Sequence, residues 1–298
     1  MVADDAEVPE EGGWRRLKRR IPLGVPGCRT WSGRAGPRRV RGTAEMLRAF
    51  AGGRLMGEAF GTEAPTVLAL HGWSRSHRDF SAVLAPPGAE PLDAIALDLP
   101  GFGATPAPPE AWGSLEYAEL VAEVLEEMAT PVVVLGHSFG GRVAVQLAAA
   151  RPDGVAALVL TGVPLIRPDG RGRRAPWPFR AGRLLHRVGL LPEARMEALR
   201  RRYGSPDYRA AEGVMRQVLV RVVNERYDDA LGALRCPVTL VWGDDDAEAP
   251  VDMARIVARD LDNARLVVVG GAGHLTPLSV PGALRDAVVE CLDQRRAR

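Results

Sequence analysis

Cysteine is scarce in this chain, and the cysteines it has lie far apart. The 298 residues include only Cys28, Cys236 and Cys291. Their number is odd, and no CxxC pair or histidine cluster accompanies them, so the sequence predicts neither a disulfide framework nor a zinc site. We interpret all three as small buried or incidental residues.

Long apolar runs and an excess of one charge are also missing. No stretch reaches the roughly eighteen apolar residues that a membrane-spanning helix needs. Lys and Arg total 39 against 37 Asp and Glu, and this balance argues against a dedicated nucleic-acid-binding protein, because such domains are usually strongly basic. Aromatic residues make up 5% of the chain while hydrophobic residues reach 46%. The core must therefore be built mainly from Val, Leu and Ala.

Residues 1–43 lack the periodic apolar pattern of a folded core. An acidic start is followed by a basic stretch rich in Gly and Pro, and this composition predicts a disordered extension. The extension is a poor secretory signal, because Pro22, Gly24 and Pro26 interrupt a segment that would need about 7–15 apolar residues. We therefore expect a cytoplasmic protein with no stable membrane insertion.

Beyond residue 44, short apolar runs of strand length alternate with amphipathic segments. Met46–Ala51 and Arg54–Phe60 flank a Gly-Gly pair and predict a hairpin. The later runs are almost continuously apolar, which is typical of parallel strands buried on both faces of a sheet. These runs are Thr66–Leu70, Ala94–Leu97, Val132–Leu135, Ala157–Leu160, Val238–Trp242 and Leu266–Val269.

Helical patterns lie between these runs. The clearest is Ser114–Met128, with Ser114 as the predicted N-cap and apolar residues at helical spacing. The alternation predicts βαβ units, and hence an α/β fold with a mostly parallel sheet and helices on both faces. The other predicted helices are Val143–Ala149, Val251–Leu261 and Pro281–Leu292.

One insertion breaks this alternation. Residues 164–227 contain no convincing strand and hold fifteen arginines against six acidic residues. The helix-like segments Leu190–Tyr203 and Ala210–Asn224 predict a separate helical layer over the sheet edge. We interpret the arginines mainly as a solvated face, with binding of an anionic substrate as the alternative. The predicted division is an extension at 1–43, a core at 44–163 and 231–298, and an inserted layer at 164–230.

The strongest local motif is the Gly-x-Ser-x-Gly sequence at Gly136–Gly140. The strand Val132–Leu135 leads into it and a helical pattern follows, so the motif predicts a sharp strand-to-helix turn that exposes the hydroxyl of Ser138. The helix N-terminus behind the serine favours negative charge developing nearby. Ser138 is therefore the candidate nucleophile, and an incidental serine in a Gly-rich turn is the less favoured alternative.

A nucleophilic serine needs a base, and the chain has five histidines. His274 follows the Gly-rich end of the last predicted strand, where the active groups of a parallel sheet converge. The chain order of serine, acid and histidine also suits this architecture. His274 is therefore the predicted general base, ahead of His71, His77, His137 and His186.

The acid that orients this base is expected in the loop after strand Val238–Trp242. A buried carboxylate there would accept the imidazole N–H and fix its tautomer. The loop is rich in acidic residues, and their positions alone do not choose among them. The competing carboxylates are those of Asp244, Asp245, Asp246 and Glu248.

Taken together, five segments in this order resemble the α/β-hydrolase superfamily, from about Met46 to the C-terminus. The resemblance implies the α/β-hydrolase fold, with the insertion at 164–230 as a helical cap. A serine nucleophile distinguishes this branch from relatives that carry aspartate in its place, such as haloalkane dehalogenases and epoxide hydrolases. The matching segments are His71–Trp73, Asp98–Gly103, Gly136–Gly141, Trp242–Pro250 and Gly271–His274.

The resemblance also implies the remaining site residues. The family spacing Gly-x-x-Asp-x-x-x-Pro selects Asp246 as the acid, with Glu248 in reserve. An oxyanion hole would be formed by the backbone N–H groups of Trp73 and Phe139. We assign the segment Asp98–Gly103 a structural role and not a catalytic one. Neither a metal ion nor an organic cofactor is implied.

The leading hypothesis is hydrolysis of a small or medium carboxylic ester through an acyl-enzyme on Ser138. Three alternatives stay open, because they would use the same residues or the same fold. They are hydrolysis of a C–C bond in a β-diketone-like acid, transfer of the acyl group to an alcohol, thiol or peroxide, and ligand binding without catalysis. The substrate is expected to be a small molecule, and the oligomeric state is not predicted.

The insertion is expected to form a lid above Ser138 and most of the substrate pocket, because it leaves and rejoins the sheet at the strand ends that carry the site. Its apolar residues are candidates for a hydrophobic pocket lining. These candidates are Trp177, Phe179, Leu184, Leu185, Leu190 and Leu191.

Overall fold

The computed structural model describes residues 47–166 and 176–297, so the predicted extension and Cys28 lie outside the described residues. Within them, eight strands form one sheet in the order β1-β2-β4-β3-β5-β6-β7-β8. β2 pairs antiparallel with β1 and with β4, and every other neighbouring pair is parallel. The strands are β1 Leu47–Phe50, β2 Leu55–Phe60, β3 Val67–Leu70, β4 Ala94–Asp98, β5 Val132–His137, β6 Val155–Thr161, β7 Val238–Gly243 and β8 Ala264–Val269.

Every predicted strand is present, and the predicted hairpin is β1 with β2. One expectation about burial is wrong. The apolar run of β8 predicts a strand covered on both faces, but β8 lies at the edge of the sheet, where Val267 is 38% and Val268 43% exposed. An edge strand has only one neighbour, so apolar composition alone does not guarantee that it is covered.

Eleven α-helices lie in the described residues. They are α1 Ser81–Leu84, α2 Ser114–Ala122, α3 Phe139–Ala150, α4 Trp177–Arg187, α5 Glu193–Tyr203, α6 Pro206–Ala210, α7 Gly213–Val222, α8 Asp228–Gly232, α9 Val251–Asp260, α10 Thr276–Ser279 and α11 Pro281–Arg296. Helices α2, α3 and α9 cover one face of the sheet with a large apolar core, and α1 and α11 cover the other. The predicted α/β-hydrolase fold class is confirmed.

The helix predicted over Ser114–Met128 differs from the structure in two ways. It is α-helical only to Ala122 and continues as a 3-10 helix over Glu123–Glu127. Its N-cap is Gly113, whose N–H donates to Glu116 Oε2, 2.9 Å away. Ser114 instead donates its hydroxyl to Glu225 Oε2 at 2.6 Å, so a long-range contact takes the group that a cap would have used.

The insertion between β6 and β7 carries helices α4 to α8, and its described residues include no strand. α5 and α7 begin at Glu193 and Gly213, a few residues later than predicted, because Pro192 precedes α5 and a left-handed glycine opens α7. The division of the chain into extension, core and cap stays a prediction. α8 continues across its predicted boundary at residue 230.

Two of the three cysteines lie in the described residues. Cys236 and Cys291 are buried and form no disulfide. Burial raises the pKa of the Cys236 thiol to about 11, so this thiol stays protonated at neutral pH.

Candidate active site

Ser138 lies at the turn between β5 and α3, with φ 49° and ψ −112°. A positive φ is strained for a residue with a side chain, and it turns the hydroxyl out of the sheet. The neighbouring positions 136 and 140 are glycines, and a side chain at either would collide with nearby backbone atoms. A Cβ at Gly136 would lie 2.6 Å from the Cα of Gly141. A Cβ at Gly140 would lie 2.1 Å from the carbonyl oxygen of Leu70.

Three of the predicted site residues form a continuous chain of hydrogen bonds. The distance from Ser138 Oγ to His274 Nε2 is 3.0 Å, and that from His274 Nδ1 to Asp246 Oδ2 is 2.9 Å. With the serine hydroxyl donating to Nε2, the proton of the neutral imidazole is on Nδ1 and is donated to Asp246. This is the tautomer in which Nε2 can accept a proton from the serine.

The four competing carboxylates have different surroundings. Asp246 is buried, and its second oxygen accepts the N–H groups of Glu248 and Ala249 at 2.9 and 2.8 Å. These bonds hold the carboxylate in place. Asp244 is exposed and accepts the N–H of Gly271. Of the four acids that the local sequence could not rank, Asp246 is thus the buried one that is hydrogen-bonded to His274 Nδ1.

Glu248 lies on the other side of His274. Its Oε2 is 3.5 Å from His274 Nε2, the same nitrogen that faces Ser138, and its side chain is 71% exposed. It is therefore an exposed charge beside the imidazole, while Asp246 is the buried one. Asp245 is exposed and contacts the site loop only through its backbone, with its N–H donating to Ala272 O.

The pKa of His274 is raised above its ordinary value. Burial of the ring by itself lowers the pKa, but the hydrogen bond and charge of Asp246 outweigh it, with smaller contributions from the charges of Glu248 and Asp207. Carboxylates on both sides favour the imidazolium, which is the form that a general base reaches after taking a proton.

His137 supports the site in a way that the sequence did not reveal. Its ring is buried beside His274, with ring centroids 5.1 Å apart, and its Nε2 donates to the carbonyl oxygen of His274 at 2.9 Å. Burial lowers the pKa of His137 to about 4, with the charge of His274 acting in the same direction. A neutral His137 therefore holds the loop that carries His274. Its position next to Ser138 in sequence was the only available signal.

The two residues predicted to supply the oxyanion donors border the same cavity as Ser138. Phe139 is the first residue of α3, so its N–H has no acceptor within the helix. The N–H of Trp73 also has no acceptor in the described part of the chain. The two aromatic rings contact each other edge to face, with centroids 5.6 Å apart. Two donors are thus available beside Ser138, and their role stays a prediction.

Of the other histidines, His71 and His77 belong to the scaffold next to the site. Leu99 N–H donates to His71 Nε2, and burial lowers the pKa of His71 to about 4. His77 Nδ1 donates to the buried carboxylate of Asp98 at 2.8 Å. Asp98 also accepts the N–H of Ala104, so it ties together the loops after β3 and β4. This agrees with a structural assignment for Asp98–Gly103.

A cavity of about 140 Å³ opens at Ser138 and His274. Its floor includes Trp73, Phe139 and Arg142, and the cap contributes Asp207 and three apolar residues at the end of α7. Those three are Leu219, Val222 and Val223. The guanidinium of Arg142 donates to the carbonyl oxygens of Val222 and Pro164, at 2.8 and 3.2 Å, and so ties α3 to the cap.

The predicted apolar lining of this cavity is wrong. None of the six cap residues proposed from the sequence borders the Ser138 cavity, and Trp177, Leu184 and Leu190 are between 63% and 78% exposed. Phe179 instead lines a second cavity of about 290 Å³, together with Tyr203 and Tyr208. Apolar composition identified helices but not which of their faces points inward.

The described residues show neither a metal-binding cluster nor a membrane-spanning helix. They hold no group of three or more His, Cys, Asp or Glu side chains placed to bind a metal ion. None of their helices is long and apolar enough to cross a membrane.

Comparisons with known proteins agree with this geometry. Residues 67–287 match the model of the alpha/beta hydrolase family. The pimeloyl-acyl-carrier-protein methyl ester esterase of Aromatoleum aromaticum is 32% identical over 247 residues, which cover 73% of this chain and 94% of that protein. The 2-hydroxy-6-oxononadienedioate/2-hydroxy-6-oxononatrienedioate hydrolase of Cupriavidus pinatubonensis is 27% identical, and the match covers 78% of this chain and 88% of that protein.

A solved structure shows the same fold. The thermophilic esterase from Thermogutta terrifontis superposes with a TM-score of 0.59 at 24% identity, covering 84% of this chain and 98% of that one. The family match extends over strands β3 to β8, the turn at Ser138 and the loop of His274, and the relatives are esterases and other hydrolases. On this evidence the chain is a member of the alpha/beta hydrolase family.

Proposed function

We propose that the chain hydrolyses carboxylic esters through an acyl-enzyme on Ser138. The observation that carries the proposal is the continuous hydrogen-bonded chain from Ser138 through His274 to the buried Asp246. A serine hydroxyl is a weak nucleophile, and a neighbouring base that is itself oriented by a carboxylate is the arrangement that activates it. The ester-cleaving relative from Aromatoleum supports the ester class.

In the first half of the reaction, Ser138 Oγ attacks the ester carbonyl carbon while its proton passes to His274 Nε2. The carbonyl oxygen becomes an oxyanion, for which the N–H groups of Phe139 and Trp73 are the available donors. The resulting imidazolium is stabilised by Asp246 and returns the proton to the leaving alcohol as the C–O bond breaks. The acyl group is then bonded to Ser138.

In the second half, water replaces the alcohol. His274 Nε2 takes a proton from the water, whose oxygen attacks the acyl carbon. The intermediate collapses to the free acid, and the proton returns to Ser138 Oγ. His137 acts as a positioning residue in both halves, since its bond to the carbonyl oxygen of His274 holds the loop of the base.

The acyl chain of the substrate would lie across α7. Leu219 and Val223 line the cavity at Ser138 and also the larger cavity bounded by Phe179, Tyr203 and Tyr208. An acyl chain that starts at the serine would therefore pass these two side chains and enter an apolar space. This favours a medium-length acyl chain over a very short one, because each buried methylene contributes roughly 0.8 kcal/mol.

Charges in the Ser138 cavity favour an ester over a C–C substrate of the kind named for the Cupriavidus relative. Asp207 and Glu248 both border the cavity, and a dicarboxylate placed near the serine would be repelled by them. Among the described residues that border it, the only arginine is Arg142, which already donates to two carbonyl oxygens of the cap. A neutral ester meets no such repulsion.

The experiment is a kinetic assay with p-nitrophenyl esters of increasing acyl length on the purified full chain. Ser138→Ala should abolish turnover while the circular dichroism spectrum stays unchanged. Ser279→Ala is the matched control, because Ser279 is exposed and donates to Leu275 O, a few residues from His274; it should retain wild-type rates. Retained turnover in Ser138→Ala would refute the proposal.

A further inference from the structure

Helix α4 of the cap carries an apolar stripe that is largely exposed in the part of the chain that the structure describes. Trp177, Ala181, Leu184, Leu185 and Val188 follow one another at the spacing of one helix face. All five are exposed: Trp177 is 78%, Leu184 63% and Val188 59% accessible. A stripe of large apolar side chains in water is unfavourable unless a partner covers it.

The opposite face of α4 already provides the contacts that hold it in the cap. Phe179 packs towards α5, with its ring centroid 6.4 Å from that of Tyr203. Gly182 is buried so closely against α5 that an added Cβ would lie 2.3 Å from Leu199 Cδ1. The exposed stripe is therefore not needed to fix the helix, because its inner face does so.

Positive charge runs along one side of the stripe. Arg180, Arg183 and Arg187 are exposed and lie on one flank, three and four residues apart. Together with Trp177 and Leu184 they border a shallow depression on the cap surface. No ion pair joins these three arginines to a carboxylate in the part of the chain that the structure describes. Within the described residues, the helix thus combines an exposed apolar face with a basic flank that forms no ion pair.

We propose that α4 is a docking surface for an anionic lipid bilayer, on which it lies with Trp177, Leu184, Leu185 and Val188 in the boundary of the acyl chains and its arginines among the headgroups. An amphipathic helix with Trp and Leu on one face and arginines beside them has the properties of an interfacial helix.

Charge argues against a second copy of the chain as the occupant. In a two-fold dimer with antiparallel α4 helices, the same flank would face itself, and the two rows of exposed arginines would be brought together. An anionic bilayer instead offers negative charge along the whole row. The inference concerns binding of the cap to a surface and does not depend on the chemistry at Ser138.

The test is co-sedimentation of the full chain with vesicles of phosphatidylcholine alone and of phosphatidylcholine mixed with phosphatidylglycerol. The wild type should bind the anionic vesicles and lose binding as salt is added. The double variant Trp177→Gln/Leu184→Gln should reduce the partition coefficient by about tenfold or more. Each of Arg180→Gln, Arg183→Gln and Arg187→Gln should reduce it by about fivefold.

Matched controls separate α4 from the rest of the surface. Leu115→Gln removes an exposed leucine on α2, and Arg296→Gln removes an exposed arginine on α11; both should bind like the wild type. Because the chain also has a basic run at residues 15–20, the comparison is always between full-length variants. The α4 variants should keep the wild-type circular dichroism spectrum and thermal unfolding, which shows that they are folded.

Three results would overturn the inference. The first is no binding of the wild type to anionic vesicles, the result expected if an acidic protein is the partner. The second is equal binding of the wild type and the α4 variants. The third is a wild-type dimer in analytical ultracentrifugation that Trp177→Gln/Leu184→Gln dissociates, without any vesicle binding.

Discussion

The two ends of the cap are held in opposite ways. At the α7 end, Arg142 donates to Val222 O, and the hydroxyls of Ser114 and Tyr227 both donate to Glu225 Oε2 at 2.6 Å. The α4 end packs on α5 and turns a row of large apolar residues to solvent. The anchored end supplies the side chains that shape the site. The apolar residues of the free end are therefore available to a partner outside the molecule.

The largest expected effects come from substitutions in the hydrogen-bonded chain of Ser138, His274 and Asp246. Asp246→Asn should lower kcat by about 10⁴-fold, because the amide favours the wrong tautomer of His274 and cannot stabilise its charge. Asp244→Asn, two residues away and exposed, is the matched control and should cost less than about threefold. Steady-state kinetics on a medium-chain p-nitrophenyl ester measures both. Equal, mild losses would indicate that the acid is elsewhere.

Stability in acid should depend on the core rather than on either end of the cap. Burial lowers the pKa of both His71 and His137 to about 4 from an ordinary value of 6.5. A lowered pKa in the folded state means stability that is present above pH 6.5 and lost as the pH falls towards 4. The expected loss is roughly 3 kcal/mol for each histidine.

Urea unfolding at a series of pH values between these limits measures that loss. His137→Asn should remove about half of the acid sensitivity that the two buried histidines produce, whatever its effect on stability at neutral pH. Leu184→Gln on the free end of the cap should leave the pH dependence unchanged. A His137→Asn protein with the full wild-type pH dependence would show that this histidine is not the titrating group.

Matched substitutions at the two ends compare them directly. Leu219→Ala on α7 should raise kcat/KM for longer acyl chains relative to short ones, because it widens the passage between the two cavities. Leu219→Trp should close the passage and remove the dependence on length, which we expect to be up to about fourfold for each methylene in the wild type. Leu184→Ala on α4 should leave the length profile unchanged. A changed dependence of kcat/KM on acyl-chain length in Leu184→Ala would contradict the claim that only the α7 end of the cap shapes the site.

The smallest effect concerns the carboxylates around His274. His274 must be neutral to accept the serine proton, so activity should fall as the pH is lowered through its raised pKa. Glu248→Gln from the core and Asp207→Asn from the cap each remove a charge that raises this pKa. Each should move the acid limb of kcat/KM to lower pH, by less than about one unit. A shift to higher pH would contradict the assignment of these charges.

The core was predictable from the sequence because strand ends determine where its loops converge. Ser138, Asp246 and His274 each follow a parallel strand, so the topology that places β5, β7 and β8 in one parallel sheet, with only β6 between β5 and β7, also brings these residues together. The support from His137 was not predictable. It depends on a hydrogen bond between residues 137 positions apart, which no local pattern encodes.

The cap was predictable only as a set of helices. Helix α4 has apolar residues on two faces, Phe179 inward and Leu184 outward, so periodicity alone cannot say which face packs. That choice depends on how closely α5 approaches, which Gly182 permits. Ser114 is a second case in which a long-range contact decides the outcome. Its hydroxyl bonds to Glu225 across the cap boundary and not to its own helix.

Covalent labelling tests the central claim most directly. The full chain would be treated with a fluorophosphonate probe, and the modified peptide identified by mass spectrometry. The account predicts a single adduct on Ser138, formed by the wild type and by Ser279→Ala but absent in Ser138→Ala. A wild-type protein that hydrolyses esters without being labelled, or a Ser138→Ala protein that is labelled at the wild-type rate, would contradict it.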